Sequence, residues 1–394
     1  MRVWVLTHEY EPWIIGGLGV VATRLSRALA DLDLDVTVFS RGHGDPKVRR
    51  EHNVTVLRIP KRAPYYRRDR RRYRGGPILS IAKHFHLDWP DVVHVHSVGF
   101  TNLASRLRRR TGMPVVYTCH SLVRDEPPSR HKSMVMQRQE RLLTMADRIA
   151  VPSEWQRQGL IAAYPHCADK VIVIPNGVDV PEEVQTVNRM ATRKEDSAIR
   201  LLFAGRLIEN KGIEPLLYAV ALLRQRGLPV ILDVFGRGSH NYEMYLKKTA
   251  QRLKIANYVR WCGLYSHHGM ADVYASHDIV VVPSHGESFG LVALEAMAYG
   301  IPLVSTQSGG LSDFVDEQVA AIIPRVEGDA IADAIWNAVK QSETMTARVV
   351  AGRSRAAQYT WPSVAQRYHE LFANLIHNMG RFSFATMPRQ YDAR

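Results

Sequence analysis

Two glutamates eight residues apart, Glu287 and Glu295, stand in the run Pro283-Ser-His-Gly-Glu287-Ser-Phe-Gly290-Leu-Val-Ala-Leu-Glu295-Ala-Met-Ala-Tyr-Gly300. A carboxylate accepts hydrogen bonds from two neighbouring hydroxyls, as an acidic residue does for ribose in nucleotide sites. Residues 291–299 have the composition of a buried helix, which puts Glu295 one to two turns inside it and Glu287 in the loop before it. Eight residues at 100° each would leave the side chains about 80° apart if both were helical, so the pair suits two hydroxylated groups better than one ion. The helix start between them offers amides to a phosphate. The alternative for Glu295 is a cap or ion pair within its own domain, which buries a carboxylate at a cost.

A second loop, Gly205-Arg206-Leu-Ile-Glu-Asn-Lys211-Gly212, carries a guanidinium fork and an ammonium point charge. These are complementary ways of neutralising phosphate oxygens, and together they can hold a diphosphate without a metal. Taken alone, such a pair is more often solvated surface charge; its place on the same strand-end face as Glu287 reverses that preference. Near the N-terminus, Gly16-Gly17-Leu-Gly19 precedes a helical pattern, so the backbone can approach a ligand closely and free amides face an anion; a tight strand-to-helix turn is the other reading. Asp31-Leu-Asp33-Leu-Asp35 reads as a solvated turn, and His94-Val-His96 as a polar pair at a strand end near a cleft, with no third metal ligand evident.

These groups need elements to position them. Short apolar runs at 3–7, 36–40, 54–59, 92–96, 115–119, 149–152 and 171–174 alternate with helical patterns such as 20–32. After a polar stretch the pattern resumes at 199–204, 230–235, 258–262, 279–282 and 302–305. The expected fold is α/β, with two Rossmann-like domains whose parallel sheets face a central cleft. The expected division is 1–178 as an acceptor-binding domain, 179–198 as linker and 199–360 as a donor domain. A C-terminal helix over 361–380 crosses back to the first domain, and 381–394 form a tail. Open parallel sheets bind ligands beyond the carboxyl ends of their strands, where both charged loops fall.

The Glu287-x7-Glu295 element, the Gly-Arg-x4-Lys-Gly loop, Ile174-Pro-Asn176-Gly177-Val-Asp179 and the Gly-Gly-Leu turn together resemble retaining glycosyltransferases of family 4, relatives of glycogen and sucrose-phosphate synthases with the GT-B fold. The likeness runs in order from the first strand to the helix at Trp361. It implies that Arg206 and Lys211 hold the donor diphosphate, Glu295 the ribose hydroxyls and Glu287 the sugar's 3-hydroxyl. The amides of Phe289, Gly290 and Leu291 would face the distal phosphate or sugar, and Gly16 and Gly17 would close over the phosphate from the other domain. His120 matches a histidine near the sugar's 6-position and the acceptor, and Gly236 and Gly238 match a loop near the nucleotide. The implied catalytic set is His120, Arg206, Lys211 and Glu287, working by front-face displacement with no metal and no cofactor beyond the nucleotide-sugar co-substrate, UDP-linked in most of the family. Ile14 stands where ADP-glucose polymer synthases carry lysine, which argues against polymer synthesis.

The formal charge is +14, with 29 Lys and Arg against 17 Asp and Glu in residues 1–180. Residues 61–74 interleave tyrosines with Arg67, Arg68, Arg71 and Arg72, expected on the acceptor side. An anionic, phosphorylated or lipid-linked acceptor, or peripheral contact with the inner membrane face, is expected there, with nucleic acid disfavoured and a solvated basic loop as the plain alternative. Three cysteines without CxxC spacing, and no signal or membrane-spanning run, suggest a cytoplasmic protein. The competing readings are a basic nucleic-acid- or membrane-binding protein on a transferase fold, and a sugar-nucleotide epimerase.

Overall fold

The computed structural model of the chain describes residues 1–42, 46–60, 82, 84–126, 128–181, 197–264 and 269–383. Arg67, Arg68, Arg71 and Arg72 lie outside them, as does the stretch 384–394.

The first sheet comprises β1 (Arg2–Leu6), β2 (Asp35–Gly42), β3 (Lys47–Glu51), β4 (Val54–Pro60), β5 (Val92–Val95), β6 (Val115–Thr118), β7 (Arg148–Val151) and β8 (Val171–Val173), in the order β3-β4-β2-β1-β5-β6-β7-β8. All neighbours are parallel except β3 with β4. Its central strands are buried on both faces, as parallel strands covered by helices must be. Between the strands lie α1 (Gly17–Ala30), α2 (Thr101–Thr111), α3 (Lys132–Met145) and α4 (Glu154–Ala163).

The second sheet is wholly parallel: β9 (Ile199–Ala204), β10 (Val230–Phe235), β11 (Val259–Gly263), β12 (Ile279–Val282), β13 (Leu303–Ser305) and β14 (Ala321–Ile322), ordered β11-β10-β9-β12-β13-β14. Its helices are α5 (Ile213–Gln225), α6 (His240–Arg252), α7 (Met270–Ala275), α8 (Leu291–Ala298), α9 (Gly328–Lys340) and α10 (Ser342–Ala356). The last helix, α11 (Trp361–Ser383), returns to the first sheet. Its Val364, Ala365, Tyr368, Phe372 and Leu375, spaced along one helical face, join Val3, Val5 and Leu25 in one buried cluster. Tyr368 Oη and Thr118 Oγ1 lie 2.8 Å apart, and Arg367 donates to the Val173 carbonyl at 2.7 Å.

In the middle of each sheet the strand order reverses between neighbouring parallel strands, and that reversal decides where a ligand fits. Connections leave β1 on one side and β5 on the other in the first sheet; β9 and β12 part in the same way in the second. A crevice opens at the carboxyl end of such a switch point. The residues just past these strands are His8 and Glu9, His96 and Ser97, Arg206, and Ser284 to Glu287.

Two strands differ from the sequence expectation. Strand β3 reads Lys-Val-Arg-Arg-Glu, an edge segment whose side chains are largely solvent-facing, and β14 is two residues long. The first carries no apolar run; the second lies in the apolar stretch 319–323, which is not among the expected strands.

Candidate active site

The two loops of the second switch point are locked together by their backbones. Gly212 sits at φ +67° at the start of α5, and a Cβ there would lie 1.9 Å from the Pro283 carbonyl oxygen, so only glycine lets the loop approach β12 this closely. The His285 amide donates to the Asn210 carbonyl at 2.9 Å, and Asn210 Nδ2 donates to the Gly286 carbonyl at 2.8 Å. The result is a fixed seat for two side chains: Lys211 Nζ stands 2.5 Å from Glu287 Oε1, which also accepts from Ser284 Oγ at 2.9 Å. The loop after β10 backs this seat. A Cβ on Gly236 would fall 1.8 Å from the Gly205 carbonyl oxygen and one on Gly238 2.3 Å from that of Leu207, so both glycines serve close packing beneath Arg206.

Arg206 reaches across the cleft to the first domain. Its guanidinium forks onto Glu126, Nη1 to Oε2 at 2.6 Å and Nη2 to Oε1 at 3.3 Å. Burial pushes the Glu126 carboxyl up, but hydrogen bonding and charge from Arg206, with Ser121 and Lys211 assisting, hold it below the usual range. Arg206, Lys211 and Glu287 therefore meet in one charged cluster completed by Glu126.

Helix α8 begins at Gly290, φ +105°, where a Cβ would lie 2.3 Å from Leu311 Cδ2. Among the described residues, no group accepts from the amides of Phe289 and Gly290, and the Leu291 amide is a first-turn donor. Amides at a helix start are donors of the kind that hold an anion. Glu295, further along α8, accepts from Tyr274 Oη at 2.6 Å beneath stacked Tyr274 and Tyr299 rings, 5.1 Å between centroids. Burial raises its carboxyl to about 7, against the Tyr274 hydrogen bond; Asp179 adds to the rise and Arg24 opposes it. Arg24 on α1 pairs with Asp179 at 3.0 Å, bringing the first domain against this carboxylate. The charges that act on Glu295 are those of Asp179 and Arg24.

A raised carboxyl costs stability at neutral pH. The unfolded chain ionises Glu295 near 4.5 and the native state near 7, so its contribution is fully present below pH 4.5 and is lost as pH rises through 7. Glu295→Gln is expected to raise stability by about 1–3 kcal/mol at pH 8 and by less at pH 5. Urea denaturation at both pH values checks this; equal effects at the two would contradict it.

The first domain contributes His120, whose Nε2 lies 3.0 Å from His96 Nδ1. His96 in turn packs against His94, 4.2 Å between centroids, and His94 Nε2 contacts Thr118 Oγ1 at 2.7 Å. Burial lowers all three imidazoles, His94 to about 3 and His120 to about 4, so at neutral pH His120 is an uncharged hydrogen-bonding group. The Gly16-Gly17 turn departs from expectation in one respect. The amides of Ile15 and Gly16 are not free, because Glu9 Oε2 accepts from both, at 2.9 and 3.1 Å. Gly17 lies against α8, where a Cβ would stand 3.1 Å from Leu291 Cδ1.

Residues 15–182 match the model of Glycosyltransferase Family 4, and residues 184–355 match that of Glycosyl transferases group 1. The chain belongs to the family 4 glycosyltransferases. A D-inositol 3-phosphate glycosyltransferase of Xylanimonas cellulosilytica is 29% identical over 387 residues, 91% of each chain. An uncharacterized glycosyltransferase of Methanocaldococcus jannaschii is 26% identical, covering 97% of this chain and all of its own. Among solved structures, sucrose-phosphate synthase from Thermosynechococcus elongatus superposes with a TM-score of 0.78 at 22% identity, covering 96% of this chain and 99% of that one. Anabaena HepE in complex with UDP and glucose gives 0.76 at 18%, covering 95% and 99%. These establish a GT-B fold for this family 4 enzyme.

Of the residues singled out from sequence, Arg206, Lys211 and Glu287 meet in one cluster, and Gly236 and Gly238 support it. Phe289, Gly290 and Leu291 form the helix start beside it. Sequence reasoning missed Glu126, Ser284, Tyr274 and Glu9 as parts of the site. It named His96 only as half of a pair with His94. Glu126 carries no local signal, since its partner is 80 residues away.

Proposed function

We propose that the enzyme moves a hexose from a nucleotide-diphosphate sugar, UDP-linked, to a hydroxyl of an anionic acceptor with retention of anomeric configuration. The observation that carries the reading is the clustering of Arg206 and Lys211 on a switch-point loop next to the helix-start amides of Phe289 and Gly290, which among the described residues have no acceptor. Two cations and a helix start are suited to a diphosphate. The family resemblance and the name of the inositol-phosphate relative favour a phosphorylated acceptor.

In the proposed step the bond from the anomeric carbon to the diphosphate oxygen breaks and a bond to the acceptor oxygen forms on the same face. The acceptor's proton passes to the departing phosphate oxygen. Charge grows on the diphosphate as the bond opens, and Arg206, Lys211 and the helix-start amides are placed to stabilise it. Neutral His120 and Glu287 would orient sugar hydroxyls, and Glu295 the ribose. Fixed groups need little reorganisation during the reaction, which is the advantage of loops locked backbone to backbone.

The test is titration of UDP in the presence of a chelator, then NMR of the product formed from UDP-glucose and an inositol phosphate. UDP binding with EDTA present and a product keeping the donor's anomeric configuration are expected. An inverted product, or binding lost with the chelator, would overturn the proposal.

A further inference from the structure

In the structure, each cation of the cluster is already neutralised by a carboxylate of the protein: Lys211 by Glu287 and Arg206 by Glu126. Glu287 is a neighbour on the adjoining loop. Glu126 comes from the opposite domain, and the way it is held is unusual for a surface acid. Its loop, the continuation of β6 past His120, is pinned by Gln139, which is buried on α3. Gln139 Oε1 accepts from the Val123 amide at 2.9 Å, while its Nε2 donates to the Ser121 carbonyl at 2.9 Å and to Tyr117 Oη at 3.0 Å. The Asp125 amide donates to the Leu122 carbonyl at 3.0 Å, and Lys132 Nζ caps the carbonyl of Glu126 itself. A carboxylate on so constrained a loop does not meet Arg206 by chance side-chain wandering.

The fork-to-fork geometry it adopts is the one a guanidinium offers two phosphate oxygens. The side chain of Arg206 is 50% exposed, so a solvent-borne anion can reach it. Glu126 takes one donor each from Nη1 and Nη2, so a diphosphate arriving beside it would find that end of the guanidinium filled and would meet like-charge repulsion.

We infer that Glu126 is a built-in competitor for the donor's diphosphate, a carboxylate that a phosphate-bearing ligand must displace from Arg206. The inference rests on the proposed function, because it takes a nucleoside diphosphate as the ligand. The Arg206–Glu126 pair links the two domains, and on donor binding the guanidinium changes partners from carboxylate to phosphate. Ligands without phosphates do not use the fork and do not feel the competition. Discrimination between a nucleoside and its diphosphate is therefore set partly by this residue.

The experiment is calorimetric titration of UDP and of uridine into the full chain, Glu126→Gln, Arg206→Ala and the double variant. Glutamine keeps the shape of the side chain and removes its charge. Glu126→Gln is expected to bind UDP about three- to fivefold more tightly, the worth of a well-aligned but half-exposed ion pair, with uridine affinity unchanged. Arg206→Ala should cost more UDP affinity in the Glu126→Gln background than in the parent, since the guanidinium no longer gives up one partner for another. UDP binding that is unchanged or weaker in Glu126→Gln, while the parent binds UDP, overturns this inference alone; so does an equal gain for uridine, which would mark a general loosening of the cleft. A parent chain that does not bind UDP overturns the inference together with the proposed function.

Discussion

Lys211→Ala is expected to lower kcat/KM for sugar transfer by about a thousandfold, the usual loss when one preorganised group that stabilises developing charge is removed. Two effects act in the same direction. The ammonium that would neutralise the departing diphosphate is gone, and Glu287, 2.5 Å from it in the parent, loses its ion-pair partner and keeps the hydrogen bond from the Ser284 hydroxyl. Both side chains are mostly buried, at 17% and 14% exposure, so neither charge is well screened by water. The second effect can be separated from the first. In Lys211→Ala/Glu287→Ala the stranded carboxylate disappears, and UDP affinity should recover part of its loss while transfer stays low, because Glu287 is itself assigned to the sugar. Steady-state kinetics, UDP titration and a thermal melt on the three variants distinguish these contributions. A single variant with kcat/KM within tenfold of the parent and an unchanged melt would remove Lys211 from the mechanism.

The central strands were legible because parallel strands covered on both faces are nearly continuous apolar runs: Ile279-Val-Val-Val282 cannot satisfy itself anywhere else. Strand β3 was not, since Lys47 to Glu51 is an antiparallel edge held by backbone pairing to β4, with no apolar alternation to betray it. Site residues divide along the same line. Arg206, Lys211, Glu287 and the glycines are local in sequence, one loop apiece, and each loop's chemistry can be read from its own residues. Glu126 depends on how the two domains face each other, a relation no local pattern encodes. The third imidazole joins His94 and His96 because β5 and β6 are neighbours in the sheet, with His94 opposite Val116, which brings His120 alongside His96. Spacing alone showed two histidines on one strand; pairing of strands supplied the other. Glu295 shows a different limit. Its position inside an apolar helix was plain, but its surroundings, Tyr274, Asp179 and Arg24, come from three separate segments.

Asp233→Ala is expected to cost about 3–5 kcal/mol of stability at neutral pH, the range for breaking a buried charge cluster by removing one member. Asp233 lies in the middle of β10, 3% exposed. It accepts from Arg260 Nε and Nη2, each at 2.5 Å, and from Arg200 Nη2 at 3.1 Å, with His277 Nε2 2.9 Å away. Those partners sit on β11, on β9 and just before β12, so one carboxylate ties three adjacent strands to the segment entering a fourth. The arginines are partly solvent-exposed, at 35% and 52%, and can rehydrate when the carboxylate is lost; His277, at 1%, cannot. That places the loss nearer the lower end of the range. Burial alone would raise the Asp233 carboxyl, but hydrogen bonds from His277, Arg260 and Arg200 outweigh it and hold the group well below 3.8. A depressed carboxyl stabilises fully above its unfolded value and loses that contribution as pH falls towards its native one. The carboxyl's share of the stability gap between parent and variant should therefore be fully present above about pH 5 and narrow below about pH 4, as the unfolded chain takes up the proton that the native carboxylate still refuses. Urea denaturation across that span measures the gap directly. A gap that persists undiminished at pH 3 would mean that Asp233 acts through its shape alone, and that the strand ends are held by packing rather than by charge.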